Sequence, residues 1–380
     1  MKSVAIISSQ AYSLINFRGA LIRDLVNSGV KVFALAPDIN DEMWVALEEI
    51  GAHPVRITLS RVGLNPIKDL LDTTTLIRLL RRLRPDVTLT YLIKPVIFGT
   101  MAAYLAGVPR RVAMIEGLGY VYTTSEGELT WRRKALRFVV SLLYKSALSL
   151  SDRVIFLNHD DIREFIGSRL VAPSKVVHID GIGVDLNYWD ENPPCLDPVT
   201  FVLVARLLRE KGVVDFVEAA RIVKAKYPSV KFVLLGDVDL NPSSLTQSEV
   251  QKWVDEGVVE WPGHVDVKPW LRRSSVFVLP SYREGLPRST QEAMAVGRAV
   301  VSTNVPGCRE TVVDGVNGYL IDAKSSSQLA DAMTKFIERP STIVDMGRES
   351  RKMAESRFDV RRINTQIIGI LRGTVHFELD

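Results

Sequence analysis

Residues 276–297 read VFVLPSYREGLPRSTQEAMAVG. The unbroken apolar run VFVL fits a strand covered on both faces, and QEAMAV is small and helix-forming. The segment therefore predicts a strand, a tight Gly-Leu-Pro corner and a helix N-terminus. A buried strand that feeds a helix is the unit of a doubly wound parallel sheet, and the same rhythm runs outward in both directions. Upstream lie TFVLVARLL (200–208), KFVLLGD (231–237) and VVEWPG (258–263); downstream lie AVVSTNV (299–305) and GYLID (318–322). In the first half VAIISS (4–9), KVFALAP (31–37), HPVRITL (53–59), DVTLTY (86–91), RRVAMIEG (110–117) and DRVIFLN (152–158) alternate with helical segments such as FRGALIRDLVNSG. The alternation pauses at DENPPCLDPV (190–199), whose prolines and acids mark a linker. The expected fold is α/β, with two Rossmann-like doubly wound domains, 1–190 and 200–358, facing a central cleft. A C-terminal helix within 359–380 is expected to cross back to the first domain.

With 380 residues, 47% hydrophobic and 24% charged, the chain has an ordinary globular composition and length enough for two cores. Cys195 and Cys308 are too few for a disulfide framework, which fits a reducing compartment. MKSVAIISSQ lacks the basic start, long apolar core and cleavage site of a signal peptide, so the mature chain is expected to begin there. No run reaches the roughly 18–20 apolar residues of a membrane span; FVVSLLYKSALSL (138–150) is interrupted by Lys145.

The net charge of +4 is unevenly placed: residues 1–150 hold 19 Lys+Arg against 12 Asp+Glu, a surplus of 19 − 12 = 7. Two segments carry it, LIRLLRRLRP (76–85) and WRRKALRFVVSLLYK (131–145). In the second, cations share an amphipathic helix with Trp131, Phe138 and Tyr144, a composition suited to an anionic membrane surface and equally to a solvated helix face. No nucleic-acid partner is indicated.

Arg206 and Lys211 follow the strand FVLVA and are spaced to converge on one anion, although alone they read as well as solvated loop cations. The N–H groups of Ser289 and Thr290 open the helix after the 281–287 corner, a second anion-attracting feature. Glu284 stands before that corner and Glu292 inside the helix. The glycines of GLG (117–119) and GIG (181–183) do not complete a dinucleotide fingerprint. Asp237-Val238-Asp239 looks like a metal-binding DxD but reads better as turn acids, and the five histidines lack zinc-ligand spacing. His159-Asp160-Asp161 is expected to open a helix by capping.

VARLLREKG (204–212), LLGD (234–237), PGHV (262–265), EGLPRSTQEAMAVGRAVV (284–301) and PGCRETVVDGVNGYLI (306–321) together resemble the C-terminal half of glycosyltransferase family 4. The resemblance implies the GT-B fold and a retaining, metal-independent hexosyltransferase that needs no cofactor and takes a UDP-sugar as donor. It implies that Arg206 and Lys211 neutralise the donor diphosphate and that Glu284 touches the donor sugar at its reacting face. It further implies that Glu292 accepts hydrogen bonds from the ribose, that Gly263, His264 and Val265 hold the base, and that Gly285, Leu286, Pro287, Ser289 and Thr290 complete the donor pocket. The leaving phosphate then deprotonates the acceptor.

INFRGALI (15–22), YLIKPVIFG (91–99) and IEGLGYVYT (115–123) resemble a bacterial subgroup that extends polyprenyl-diphosphate-linked sugars for capsule, O-antigen and N-glycan assembly. The resemblance implies an N-acetylhexosamine such as N-acetylgalactosamine as the transferred sugar. It assigns Asn16, Arg18, Gly19, Lys94, Glu116 and Tyr120 to the acceptor side, on the cytoplasmic face of the inner membrane. Arg18 and Lys94 would meet the acceptor diphosphate, unless Arg18 pairs with an acid. Many members of the family carry histidine where this chain has Glu116, so Glu116 either touches substrate or is a buried carboxylate. A non-hydrolysing UDP-sugar 2-epimerase of the same fold is the alternative; a binding protein with a degraded site would not keep Arg206, Lys211, Glu284 and Glu292.

Overall fold

A computed structural model describes residues 1–59, 65–117, 131–239, 241 and 243–374, without the side chains of 132 and 133. The chain divides into two units, Met1–Ile182 with Arg361–Asp380, and Gly183–Val360. The change of unit falls ahead of the linker expected at 190–199, because Gly183–Asn192 already belongs with the second unit.

The first unit is built on seven strands: β1 Ser3–Ile7, β2 Lys31–Ala36, β3 His53–Arg56, β4 Val87–Tyr91, β5 Arg110–Ile115, β6 Arg153–Phe156 and β7 Val176–His178. Every pairing is parallel and the order is β3-β2-β1-β4-β5-β6-β7. The strands are apolar almost throughout because helices cover both faces. Asn65 caps the helix Pro66–Leu83 by accepting from Lys68 N–H, with Pro66 at its first position. Tyr144, from the helix Trp131–Leu150, is buried and packs edge-on against Phe165 at 5.5 Å. It thus lies on the core side of the helix it shares with exposed Trp131 and Phe138. The helix His159–Gly167 is capped by Asn158, whose side chain accepts from Asp161 N–H; the expected cap at 159–161 is one residue late. The last helix, Val360–Arg372, belongs to this unit from Arg361 onward. Its Asn364 donates to Asp24 at 2.7 Å, and Arg110 donates to the Ile370 carbonyl at 2.8 Å.

The second unit repeats the plan with β8 Thr200–Val204, β9 Lys231–Leu235, β10 Glu260–Gly263, β11 Val276–Leu279, β12 Ala299–Thr303 and β13 Gly318–Ile321, in the order β10-β9-β8-β11-β12-β13. Phe201, Phe216 and Phe232 anchor its core, each fully buried side chain contributing roughly 1.5–3 kcal/mol. Buried Arg298 donates to the carbonyls of Leu271 and Asn192, tying down the chain as it enters the unit. No described helix is long and apolar enough to cross a membrane.

Candidate active site

In each sheet the strand order reverses at one place, between β1 and β4 in the first unit and between β8 and β11 in the second. Crevices at the carboxyl ends of such strands are where open α/β sheets bind ligands. The expected donor residues lie at the ends of β8, β10 and β11; the expected acceptor residues follow β1, β4 and β5.

After β8 the chain makes a 3₁₀ turn, Arg209–Lys211, and Gly212 takes a left-handed conformation at φ +69° before the helix Val213–Lys226. A side chain on Gly212 would run into the Pro280 carbonyl, so this glycine lets the β8 loop lie against the end of β11. The contact is reinforced where Tyr282 N–H donates to the Glu210 carbonyl at 2.9 Å. Gly307, at φ +76°, lets the loop after β12 approach the backbone of Glu284 in the same way, and Glu284 N–H donates to the Pro306 carbonyl at 3.1 Å. Three loops thus converge on Glu284. Its carboxylate accepts from Lys211 Nζ at 2.5 Å and from Ser281 Oγ at 2.7 Å, and it is mostly shielded, with 13% of the side chain exposed.

Arg206 pairs with Asp239 at 2.9 Å and keeps half its side chain exposed. Asp239 also accepts from Asn241 N–H, so it serves a turn as the sequence suggested. The helix Arg288–Ala295 starts at the Gly-Leu-Pro corner. Ser289 and Thr290 fall in its first turn, where N–H groups lack intrahelical partners. Glu292 lies one turn in and accepts from Arg288 Nε at 2.9 Å. Burial holds its carboxyl above the usual range, while the Arg288 charge and hydrogen bond pull it back. Cys308 is packed beneath the site, and burial, then the charge of Glu284, pushes its thiol up to about 12. It is an inert core thiol. Gly263 ends β10 at φ +81° with its carbonyl accepting from Gly236 N–H, His264 is exposed and Val265 half-buried. Gly285, Leu286 and Pro287 are buried at the corner.

Sequence reasoning did not single out Ser281 or Arg288. The i,i+4 spacing of Arg288 and Glu292 on one helix was the available signal for the second.

The acceptor-side residues change character in three dimensions. Arg18 is only 1% exposed and pairs with Glu116. It also donates to the Phe17 carbonyl and lies 4.6 Å above the ring of buried Tyr91. Tyr91, whose hydroxyl burial pushes up to about 12, bonds Ser13 at 2.9 Å, and Ser13 in turn bonds Ser8 at 2.9 Å. Lys94, half-buried, pairs with buried Asp69 at 2.7 Å. Each is paired with an acid, which for Arg18 is the alternative the sequence left open, and spacing alone named neither partner. Glu116 is the member of the Arg18 pair that reaches solvent, at 17% exposure. Leu92 between Tyr91 and Lys94 is held at φ +67°, and a π-helical turn, Pro95–Gly99, follows. Strain and π turns of this kind collect at functional sites. Asn16 ends the helix Ala11–Asn16, and Gly19 opens the helix Gly19–Asn27. Tyr120 lies outside the described residues.

Comparison with known proteins gives two family matches, "Glycosyl transferase 4-like" over residues 7–158 and "Glycosyl transferases group 1" over 198–339. A Campylobacter jejuni N,N'-diacetylbacillosaminyl-diphospho-undecaprenol alpha-1,3-N-acetylgalactosaminyltransferase is 29% identical over 350 residues, 88% of this chain and 89% of the relative. An Escherichia coli UDP-Gal:alpha-D-GlcNAc-diphosphoundecaprenol alpha-1,3-galactosyltransferase is 28% identical over 291 residues, 73% of each chain. Anabaena HepE, solved in complex with UDP and glucose, superposes with a TM-score of 0.76 at 18% identity, covering 98% of this chain and 100% of that one. Nothing in these comparisons supports the epimerase alternative. With one family match on each half and the fold shared from end to end, the chain belongs to the group 1 and 4-like glycosyltransferases of GT-B fold.

Proposed function

We propose that the protein transfers a sugar, with retention, from a UDP-sugar to a saccharide carried on a polyprenyl diphosphate in bacterial surface-glycan assembly. The transferred sugar on this reading is an N-acetylhexosamine such as N-acetylgalactosamine. The observation that carries the proposal is the Lys211–Glu284–Ser281 cluster at the β8/β11 switch point. The near full-length similarity to a relative named for a diphospho-undecaprenol acceptor supports the same reading.

The residues suggest how the reaction would run. Lys211 and Arg206 are held by Glu284 and Asp239. A donor diphosphate would draw both cations away, and they would stabilise the charge that develops as the bond between the anomeric carbon and phosphate oxygen breaks. Glu284, released from Lys211, would face the sugar, and Glu292 would accept from the ribose hydroxyls. The acceptor hydroxyl adds to the same face of the anomeric carbon, its proton passes to the departing phosphate oxygen, and UDP leaves. No protein base is required, and the positioned cations take the role a metal would otherwise fill. The acceptor's lipid implies work at the cytoplasmic face of the inner membrane, without a spanning helix.

The test is product stereochemistry with EDTA present: the α-linked donor should yield an α-linked product at an undiminished rate. A β-linked product would overturn retention, and loss of turnover on chelation restored by a divalent cation would overturn metal independence.

A further inference from the structure

The helices Pro66–Leu83, Thr100–Ala106 and Trp131–Leu150 pack side by side as one layer over the first unit's sheet. The inner side of this layer is apolar, with Leu76, Leu80, Tyr144 and Leu148 buried. Its outer side is apolar as well. Ile67 and Trp131 are each 74% exposed, Phe138 71%, Leu70 65%, Leu71 61% and Leu142 56%. These three helices carry half of the large apolar side chains left exposed among the described residues. A helix facing water on its outer side should be polar there; one apolar on both sides meets a second apolar medium.

The charges identify that medium. The only acids between 66 and 83 are Asp69 and Asp72, both buried, and there are none at all in 100–106 or 131–150. Among the described residues the exposed charges along the layer are Lys68, Arg78, Arg81, Arg82, Lys134 and Lys145, all of one sign. A protein partner would be met by a rim of mixed, pairable polarity, whereas apolar side chains bordered mainly by cations among the described residues, with Glu164 the acid that pairs with Arg137, complement anionic headgroups above acyl chains.

We propose that this three-helix layer is the face on which the protein lies on an anionic lipid surface, entering it by the edge at the carboxyl ends of the strands. The edge follows from topology. Parallel strands deliver the chain to the first turns of 66–83 and 131–150 at that end of the sheet, where Ile67, Leu70, Leu71 and Trp131 lie. The Lys94–Asp69 pair at 2.7 Å fixes the first of these turns beside the end of β4. Arg18, Tyr91 and Glu116 gather at the same edge, so docking there brings a membrane-borne headgroup to them. The proposal rests on the lipid-linked acceptor of the proposed function for its purpose, though not for its test.

The test is co-sedimentation of the full chain with vesicles of phosphatidylcholine alone or mixed with phosphatidylglycerol, at low and high salt. Two double variants, Leu70→Asp with Leu71→Asp and Phe138→Asp with Leu142→Asp, are compared with Ile222→Asp, an exposed apolar site in the second unit. We expect binding only to the anionic vesicles, weakened by salt, reduced about tenfold or more in each double variant and unchanged in Ile222→Asp. Equal binding to neutral vesicles, or undiminished binding in both double variants, would overturn the proposal. So would variants that dissociate a dimer in sedimentation velocity while leaving vesicle binding intact. Turnover of a short-chain, water-soluble acceptor should be unchanged in both double variants. Vesicle binding as expected, with no turnover of any lipid-linked acceptor, would count against the proposed function while leaving the docking face standing.

Discussion

Glu284→Gln separates the two jobs given to the Lys211–Glu284 pair. The amide can still accept from Ser281 Oγ, now 2.7 Å away, so the loop keeps its anchor. What disappears is the charge that holds Lys211 at 2.5 Å. A donor diphosphate must compete with that charge in the native chain and would not in the variant, so UDP affinity should be kept or improved by up to about tenfold, near 1.4 kcal/mol. Turnover should fall by about 10²–10³, or roughly 2.7–4 kcal/mol of transition-state stabilisation, the usual loss for one preorganised electrostatic contact at a reacting centre. Lys211→Ala acts differently. It leaves a carboxylate with 13% exposure facing only Ser281, which should cost about 2–3 kcal/mol of stability, below the 3–5 of a fully buried pair, and it should weaken UDP binding and turnover together. The double variant should be less impaired than the sum of the two, because one contact cannot be lost twice. Calorimetric titration with UDP and a UDP-release assay read both quantities. Full turnover in Glu284→Gln, or loss of its UDP binding, would refute the reasoning.

Glu292 should give the acid limb of the donor KM a position above that of an ordinary glutamate, since the ribose requires the ionised form and burial disfavours it; Arg288→Gln should push that limb higher still, read as KM against pH. Between the unfolded and the raised folded value the folded chain holds a proton the unfolded chain has lost, so this group's contribution to stability falls as pH rises through that window. Arg18→Met should lower stability by about 3 kcal/mol in a denaturant titration, because it leaves the Glu116 carboxylate without its cation and removes the guanidinium from the Tyr91 ring, while Glu116→Gln should cost less. Gly212→Ala should cost about 2–3 kcal/mol and most of the turnover by pushing the β8 loop off Pro280, whereas Gly29→Ala, with a similar φ of +77° and no neighbouring atoms, should cost about 1 kcal/mol and leave turnover unchanged.

The alternation of apolar strands and helices was legible because a parallel strand covered on both faces writes itself as an uninterrupted apolar run, as VFVL does. In the second unit Lys211 and Glu284 could be placed near one another because each follows closely on an apolar strand, whereas the close approaches at Gly212 and Gly307 were not singled out. The partners of Arg18 and Lys94 were not legible, although an acid for Arg18 was already an open alternative. Glu116 and Asp69 meet them only through the β1–β4–β5 pairing, and local spacing carries no information about such partners. The side of the helix that Tyr144 takes was legible in principle. At about 100° per residue Phe138 returns to within about 20° of Trp131, but Tyr144 lands roughly 220° away, on the core side, so the helical period held the answer. The three-residue strand β7 and the acid-free outer layer became visible only once the helices were seen packed against one another.

The most direct measurement is UDP release from a panel of UDP-sugars with a short polyprenyl-diphospho-saccharide present or absent. The account predicts turnover of one donor that depends on the acceptor. Conversion of a UDP-sugar to its epimer without acceptor, or acceptor-independent hydrolysis alone, would contradict it.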